Sequence, residues 1–423
     1  MNTTVIIPAW NMWEMSMACL ISLAECSPAG LIQVLVADNG STDRTARDLE
    51  SFGHGLFSEN FKRLRFEENL GFAKACNAGA REANGDYLFF LNNDVIMRPG
   101  WLEPLLNCFE RRSNLGAAGP LLLYPDRKKA GFPGNPGIDD PSLYGVQHCG
   151  VAFTPDLAMR HIHAYFPAAH PLVKKRRSLQ AITGAAMFMP KKIFQETGGF
   201  HEGYINGFED LDFCFQLRRK GFSVACEAKS VIFHLAGQTF GRNLHDKNNA
   251  ALANARNHDV KPDMHKMLAD DGLRPALNHN LEIYARIDQE QEKNLNIAFV
   301  PFFDIERCRR RLEDQPLWFN GYDLMAQALE KKNQWSAGAA WRLLQARLFP
   351  IRDLVPGLLR SLPHLDDKNL FEHIKETAMR LSIEQDPTFL RKKAEALIRW
   401  SKAAGERDLE RLYVDWLNAN NQI

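Results

Sequence analysis

Between Thr4 and Leu91 short apolar runs alternate with longer amphipathic stretches. The runs are VIIP, QVLVAD, a brief one at Leu64-Arg65-Phe66, and YLFFL; residues 12–26, 43–52 and 72–83 lie between them. Short runs bounded by turn residues suit strands buried on both faces, and apolar positions three and four apart suit helices packed on them. Strand, helix, strand in succession predicts βαβ units, hence an α/β, Rossmann-like fold with a mostly parallel sheet. Each run ends in polar or turn-forming residues: Pro8-Ala9-Trp10-Asn11, Asp38-Asn39-Gly40-Ser41-Thr42-Asp43, Asn69-Leu70-Gly71 and Asn92-Asn93-Asp94. Ligands of open α/β sheets bind beyond the carboxyl ends of the strands, so these segments are predicted to line one rim.

Further on the pattern changes. Residues 121–179 are irregular and rich in Gly, Pro and His, with Lys174-Lys175-Arg176-Arg177 near their end, and read as long loops carrying a solvated basic run. Regular structure returns with AITGAAMFMP, a helix over residues 191–196, the turn TGGF, a helix over 209–220 and a strand near 230–234. The second helix has Glu209, Asp210 and Asp212 in its first turn and Arg218, Arg219 and Lys220 in its last, as the helix dipole favours. Residues 242–294 are polar and weakly patterned, and from 295 to 423 the chain is helical by pattern. Three parts are expected: a domain over 1–241, a connecting region over 242–294, and an all-helical C-terminal domain over 295–423.

Charge and composition narrow the function classes. With 52 basic and 51 acidic side chains the 423-residue chain has a formal charge of +1, so no overall field draws it to nucleic acid, and any nucleotide must be bound locally. No apolar run approaches the roughly 20 residues of a membrane span. The start MNTTVIIPAW lacks a basic leader, so the expectation is a cytoplasmic protein, at most peripheral at the inner membrane. Eight cysteines without CxxC pairs, among them Cys19, Cys76 and Cys214 in apolar helical patterns, read as reduced and buried.

The segments VIIPAWN, VLVADNGSTDRT, ENLGFAKACNAGAREANGDYLFFLNNDV, ITGAAMFM, GGFHEGYINGFEDLDFCFQLRRKGF and IFHLAG resemble, in order, the motifs of family 2 inverting glycosyltransferases of the GT-A fold. The similarity is greatest to rhamnosyltransferase-like bacterial members that extend surface glycans, and it covers roughly the first 240 residues. It implies transfer of a sugar from a nucleoside-diphosphate sugar, UDP or dTDP, to a hydroxyl of a glycan, glycolipid or protein, assisted by Mg2+ or Mn2+. Pro8, Ala9, Trp10 and Asn11 match the wall against the base, with Trp10 where the family usually carries Tyr. Asp38 matches the acid that hydrogen-bonds the uracil or thymine edge. Asn69, Gly71, Lys74, Asn93 and Gly184 fall in donor-binding segments.

NND stands where the family has its DxD motif, so Asp94 is the implied metal ligand, Asn92 reaches towards the ribose, and His234 matches a second ligand of some relatives. The first position departs from the pattern: an amide is a neutral oxygen donor, so the metal should be held more by the diphosphate and water. Asp210 aligns with the base that takes the acceptor's proton, and Glu209 with a residue holding the acceptor. On the residues alone, Asn92 to Asp94 and Glu209-Asp210 equally suit helix caps or turns, Asp38 an Asx-turn and His234 the core. Asp212 reads as structural, with Arg218 a partner for one of the acids. His148, His161, His163 and His170 lack metal-site spacing.

Two other functions fit less well. A nucleotidyltransferase making nucleotide sugars would need a glycine-rich loop after the first strand, where VIIPAWN stands. A non-catalytic nucleotide-sugar-binding protein with a degenerate transferase domain is suggested by the Asn of NND and opposed by Asp94, Asp210 and His234. The helical domain lies outside the resemblance and reads as an acceptor- or partner-binding module or a homo-oligomerisation module. On that reading, truncation before about residue 295 should spare donor hydrolysis.

Overall fold

Each apolar run that opens the chain becomes a strand, and each amphipathic stretch a helix, in the computed structural model, which describes residues 2–28, 30–125, 145–235, 245–299 and 303–420. The elements are β1 (Thr3–Ala9), α1 (Trp13–Cys26), β2 (Ile32–Asp38), α2 (Arg44–Phe57), β3 (Phe61–Arg65), α3 (Phe72–Glu82) and β4 (Tyr87–Leu91). β1 runs parallel to β2 and β4, and β2 to β3, so their carboxyl ends share one edge. Val5, Ile7, Phe89 and Leu91 face one core with α1, while Ile6, Leu88 and Phe90 face the opposite core with α3. Both faces being covered explains why these strands read as unbroken apolar runs.

The chain continues through β5 (Val95–Ile96), α4 (Leu102–Arg111), β6 (Leu115–Leu123), β7 (Val146–His148), β8 (Val151–Phe153), β9 (Met159–His161), α5 (Pro171–Lys174), β10 (Ala186–Pro190), α6 (Lys191–Thr197), α7 (Glu209–Arg219) and β11 (Ser223–His234). The sheet order is β3-β2-β1-β4-β10-β6-β11-β5, with β7 on β6. β10 lies antiparallel between β4 and β6, and β11 parallel to β6. The sheet is therefore mixed with most strands running one way, as in a GT-A fold. Because β10 runs against its neighbours, Ala186 at its start pairs with Leu91 at the end of β4. The turn before β10 is thereby delivered to the rim.

Beyond β11 come α8 (Asp246–Arg256), α9 (Met264–Asp270), a hairpin of β12 (Arg274–Leu277) and β13 (Ile283–Arg286), and the helices α10 (Gln289–Phe299), α11 (Ile305–Asp314), α12 (Phe319–Lys331), α13 (Trp335–Leu348), α14 (Val355–Ser361), α15 (Lys368–Ser382), α16 (Pro387–Ala403) and α17 (Arg407–Ala419). Consecutive helices pack in pairs, α12 on α13, α14 on α15 and α16 on α17. The expected boundary near residues 241 and 242, and residues 126–144 of the expected loops, lie outside the described residues. Among the described residues no helix is long and apolar enough to cross a membrane.

One expectation about charge needs correction. The basic run is only partly solvated: Lys175 Nζ donates to Asp271 Oδ1 at 2.8 Å and Arg177 Nη2 to Asp271 Oδ2 at 2.6 Å, with His163 Nε2 2.9 Å from the same oxygen. A carboxylate as buried as that of Asp271 requires such partners. Asp212 is satisfied from outside its own helix. Arg256 of α8 (2.9 and 3.1 Å), Asn257 (2.8 Å) and the Tyr204 hydroxyl (3.2 Å) donate to it, because α8 folds over the start of α7.

Candidate active site

At the nucleotide side the ends of β1 and β2 are knitted together. Asn39 N donates to Ala9 O at 2.7 Å, and Asn11 Oδ1 accepts from Thr42 N at 2.8 Å and Asp43 N at 3.3 Å. Asn11 pays for these bonds with a positive φ of 55°, a conformation Asn tolerates better than most residues. Asp43 caps α2 through Thr45 N (2.9 Å) and holds Trp13 N (3.0 Å). The frame leaves Trp10 39% exposed at the tip of β1, a flat surface of the right kind for a base.

Asp38 is fully buried at the end of β2. Its Oδ1 accepts from Ser41 N at 2.9 Å, and its Oδ2 from Arg63 and, at 2.9 Å, Arg65 Nη1. Burial pushes the carboxyl upward, but the hydrogen bonds from Ser41 and Arg63 outweigh it and hold the group below the usual carboxylate range. The Arg63 side chain is 9% exposed and that of Arg65 47%, so the acid comes to the rim with two guanidinium groups attached. Beside it Asn69 Oδ1 accepts from Gly71 N at 3.0 Å, Gly71 takes a φ of 83°, and Lys74 stands exposed on the first turn of α3.

The NND segment divides three ways. Asn92 N donates to Ala185 O at 2.9 Å, and its half-buried side chain makes no hydrogen bond among the described residues. Asn93 is tied to α1, donating from Nδ2 to Ser16 Oγ at 2.9 Å. Asp94 is buried, with Oδ1 3.1 Å from His234 Nε2 at the end of β11. That ring nitrogen is buried without a hydrogen bond among the described residues. On its other side, His234 Nδ1 is 2.6 Å from Gln147 Oε1, and Gln147 Nε2 donates to His234 O at 2.9 Å.

These residues suit a divalent cation. Two ligand atoms bound at right angles to one ion at about 2.1 Å sit about 3 Å apart, close to the separation seen here. Among the described residues no further His, Cys, Asp or Glu completes a group of three, so substrate oxygens and water would fill the remaining positions.

Asp210, on the first turn of α7, accepts from Gly184 N at Oδ2 (2.6 Å) and from Leu211 N at Oδ1 (2.9 Å). Glu209 is buried and takes Gly207 N at 2.7 Å. The turn leading into α7 is strained: Asn206, Gly207 and Phe208 have φ of 52°, 155° and 73°. For the non-glycine residues Asn206 and Phe208 such conformations cost on the order of 1–3 kcal/mol each and persist only where the surroundings enforce them, whereas Gly207 adopts its own without strain. Here Asn206 Oδ1 accepts from Phe72 N at 3.1 Å, while Asn249 of α8 clamps Ile205 by accepting from its N (3.2 Å) and donating to its O (2.9 Å).

The turn at residues 183–185 joins the two halves, since Ala185 O holds the Asn92 end and Gly184 N holds Asp210. Thr183 N in turn donates to His148 Nε2 at 3.3 Å, and His148 Nδ1 lies 2.9 Å from His161 Nδ1. Burial, with His161 and His234 nearby, keeps His148 well below its ordinary pKa and hence neutral. Sequence reasoning missed Arg63, Arg65, Gln147, Asn206 and Asn249. Their partners lie 25 to 134 positions away, and only the alternation of Arg63 and Arg65 along β3 hinted that they share a face.

The mixed sheet, with this rim at the carboxyl ends of its strands, defines a GT-A-like transferase domain. Residues 4–136 match the family described as Glycosyl transferase family 2. The chain is similar to the protein named uncharacterized protein y4gI of Sinorhizobium fredii, 25% identical over 287 residues, which are 66% of this chain and 29% of that protein. It is also similar to the N-acetylglucosaminyl-diphospho-decaprenol L-rhamnosyltransferase of Mycobacterium tuberculosis, 27% identical over 244 residues, 52% of this chain and 71% of that one. Among solved structures, residues 1–349 of TarS from S. aureus align with a TM-score of 0.41 and 15% identity over 91% of this chain and 93% of that one. The chain thus spans less than a third of the length of the Sinorhizobium relative.

Proposed function

We propose that the protein is an inverting glycosyltransferase that moves a sugar from a UDP- or dTDP-sugar to a hydroxyl of a glycan, glycolipid or protein acceptor. The observation that carries this reading is the turn at 183–185, which binds the candidate base Asp210 through Gly184 and the Asn92–Asp94 segment through Ala185. A group able to accept a proton and the segment that carries Asp94 are thereby fixed to one piece of backbone. Reacting groups held this way need no further ordering at the moment of transfer.

In this reading Trp10 packs on the base, and the Asp38–Arg63–Arg65 cluster meets its polar edge. Asp94 and His234 would hold the cation, which when bound neutralises charge developing on the departing diphosphate. An imidazole ligand favours Mn2+ over Mg2+, which prefers oxygen. Asp210 takes the proton of the acceptor hydroxyl as that oxygen attacks the anomeric carbon opposite the diphosphate, which inverts the configuration. The Gly184 and Leu211 N–H groups aim its carboxylate. A cytoplasmic role in bacterial surface-glycan synthesis or protein glycosylation accords with the rhamnosyltransferase relative.

Asp210→Asn is expected to bind Mn2+ and UDP as the wild type does and to lose turnover by on the order of a thousandfold, within the range for removal of a general base. Calorimetry and a donor-hydrolysis assay, with and without EDTA, measure the two. Near wild-type turnover in the variant would assign the base elsewhere, with Glu209 next.

A further inference from the structure

Gln147 occupies an irregular position. Leu122 of β6 pairs with His148 and Leu123 with Val146, so one step along β6 spans two along β7 and leaves Gln147 as the extra residue of a bulge. Bulges re-aim side chains, and this one sends a buried amide to His234, at the end of a different strand. The direction of that amide is fixed by chemistry. The backbone oxygen of His234 can only accept, so the Gln147 atom 2.9 Å from it must be the NH2 group. Its oxygen therefore faces His234 Nδ1 at 2.6 Å and can only accept, so Nδ1 must carry a proton. In a neutral imidazole the lone pair is then on Nε2, the atom that faces Asp94 at 3.1 Å.

We infer that Gln147 is a positioning residue for the cation site: by accepting from Nδ1 and donating to the same residue's carbonyl, it fixes the tautomer and ring angle of His234 so that Nε2 is offered to a metal. This deepens the metal reading of Asp94 and His234 and rests on it. Second-sphere partners of a ligating histidine work in this way, and their loss typically costs about 10–100-fold in metal affinity. Gln147→Leu removes both hydrogen bonds, while Gln147→Glu keeps an acceptor for Nδ1 and gives up the donor to the carbonyl.

The test uses the full chain and follows free Mn2+ by electron paramagnetic resonance in the presence of UDP, for wild type, Q147L, Q147E and His234→Ala. The Mn2+ dissociation constant should rise about 10–100-fold in Q147L and by less in Q147E. UDP affinity without metal should stay unchanged throughout. Unaltered Mn2+ affinity in H234A would remove His234 from the site and with it the metal reading. A loss in H234A with none in Q147L would overturn the role of Gln147 alone. Should Q147L fail to fold, nitrogen-15 shifts of His234 in metal-free wild type decide: a protonated Nδ1 and bare Nε2 support the inference, and the opposite tautomer overturns it.

Discussion

Single atoms set this site. Gly184 was legible from the sequence as a glycine near the sugar, but the reason for it was not. A Cβ there would sit 3.1 Å from Asp210 Cβ and 3.5 Å from Asp210 Oδ2, so the absence of a side chain lets the Gly184 N–H reach the carboxylate. Gly184→Ala should push Asp210 aside by a few tenths of an ångström. The backbone φ there is not one that demands glycine, so the fold should survive with a cost of about 1–3 kcal/mol, as for other overpacked positions. Turnover in donor hydrolysis is expected to fall on the order of tenfold with Mn2+–UDP affinity unchanged. Wild-type turnover would mean that the Gly184–Asp210 bond does not aim the base. Asp38 shows the same limit of sequence reading: its place at the end of an apolar run marked it as a rim acid, while its two arginine partners come from the next strand and 25 and 27 positions on.

At the level of elements, period and boundary were readable because burial on both faces makes strands uniformly apolar and single-faced burial makes helices periodic. Direction was not readable: β10 has the same apolar character whether it runs with or against β4, yet only the antiparallel course brings residues 183–185 to the rim. Nor was the role of α8, whose polar composition suggested a connector. Its key polar residue points inward, since Asn249 is buried and satisfies both backbone groups of Ile205, in the turn before Asp210. Asn249→Ala strands those groups, at a cost of about 1–3 kcal/mol, and releases a strained turn. Donor hydrolysis should slow while Mn2+–UDP affinity holds, because the side-chain hydrogen bonds of Asn249 go to Ile205, in the turn before Asp210. A parallel loss of affinity and turnover would show that Asn249 supports the whole domain rather than the turn.

For the whole molecule, the sequence suggested a transferase domain that could dispense with its helical region. The core argues otherwise. One apolar cluster runs from Phe90 and Phe153 of the transferase sheet and hairpin, through Leu268, Leu273, Ile283 and Ile287, to Trp318, Tyr322, Phe349, Leu390 and Tyr413 of the helices. Polar contacts cross the same boundary: Lys393 pairs with Asp156 at 2.6 Å, Lys266 with Glu406 at 2.9 Å, and Trp416 Nε1 donates to Asn278 O at 2.8 Å. Truncation before residue 295 would expose several large side chains, each worth about 1.5–3 kcal/mol when buried. A domain's total stability is only about 5–15 kcal/mol, so the loss is comparable to the whole. The truncated chain is therefore expected to be unfolded or aggregated and to lose donor hydrolysis along with transfer. In the intact protein the signal at 222 nm and the near-ultraviolet aromatic signal, to which both regions contribute, should melt together in one transition. A soluble truncated protein with full donor hydrolysis, or two separate melting transitions, would show that the shared core does not couple the two regions.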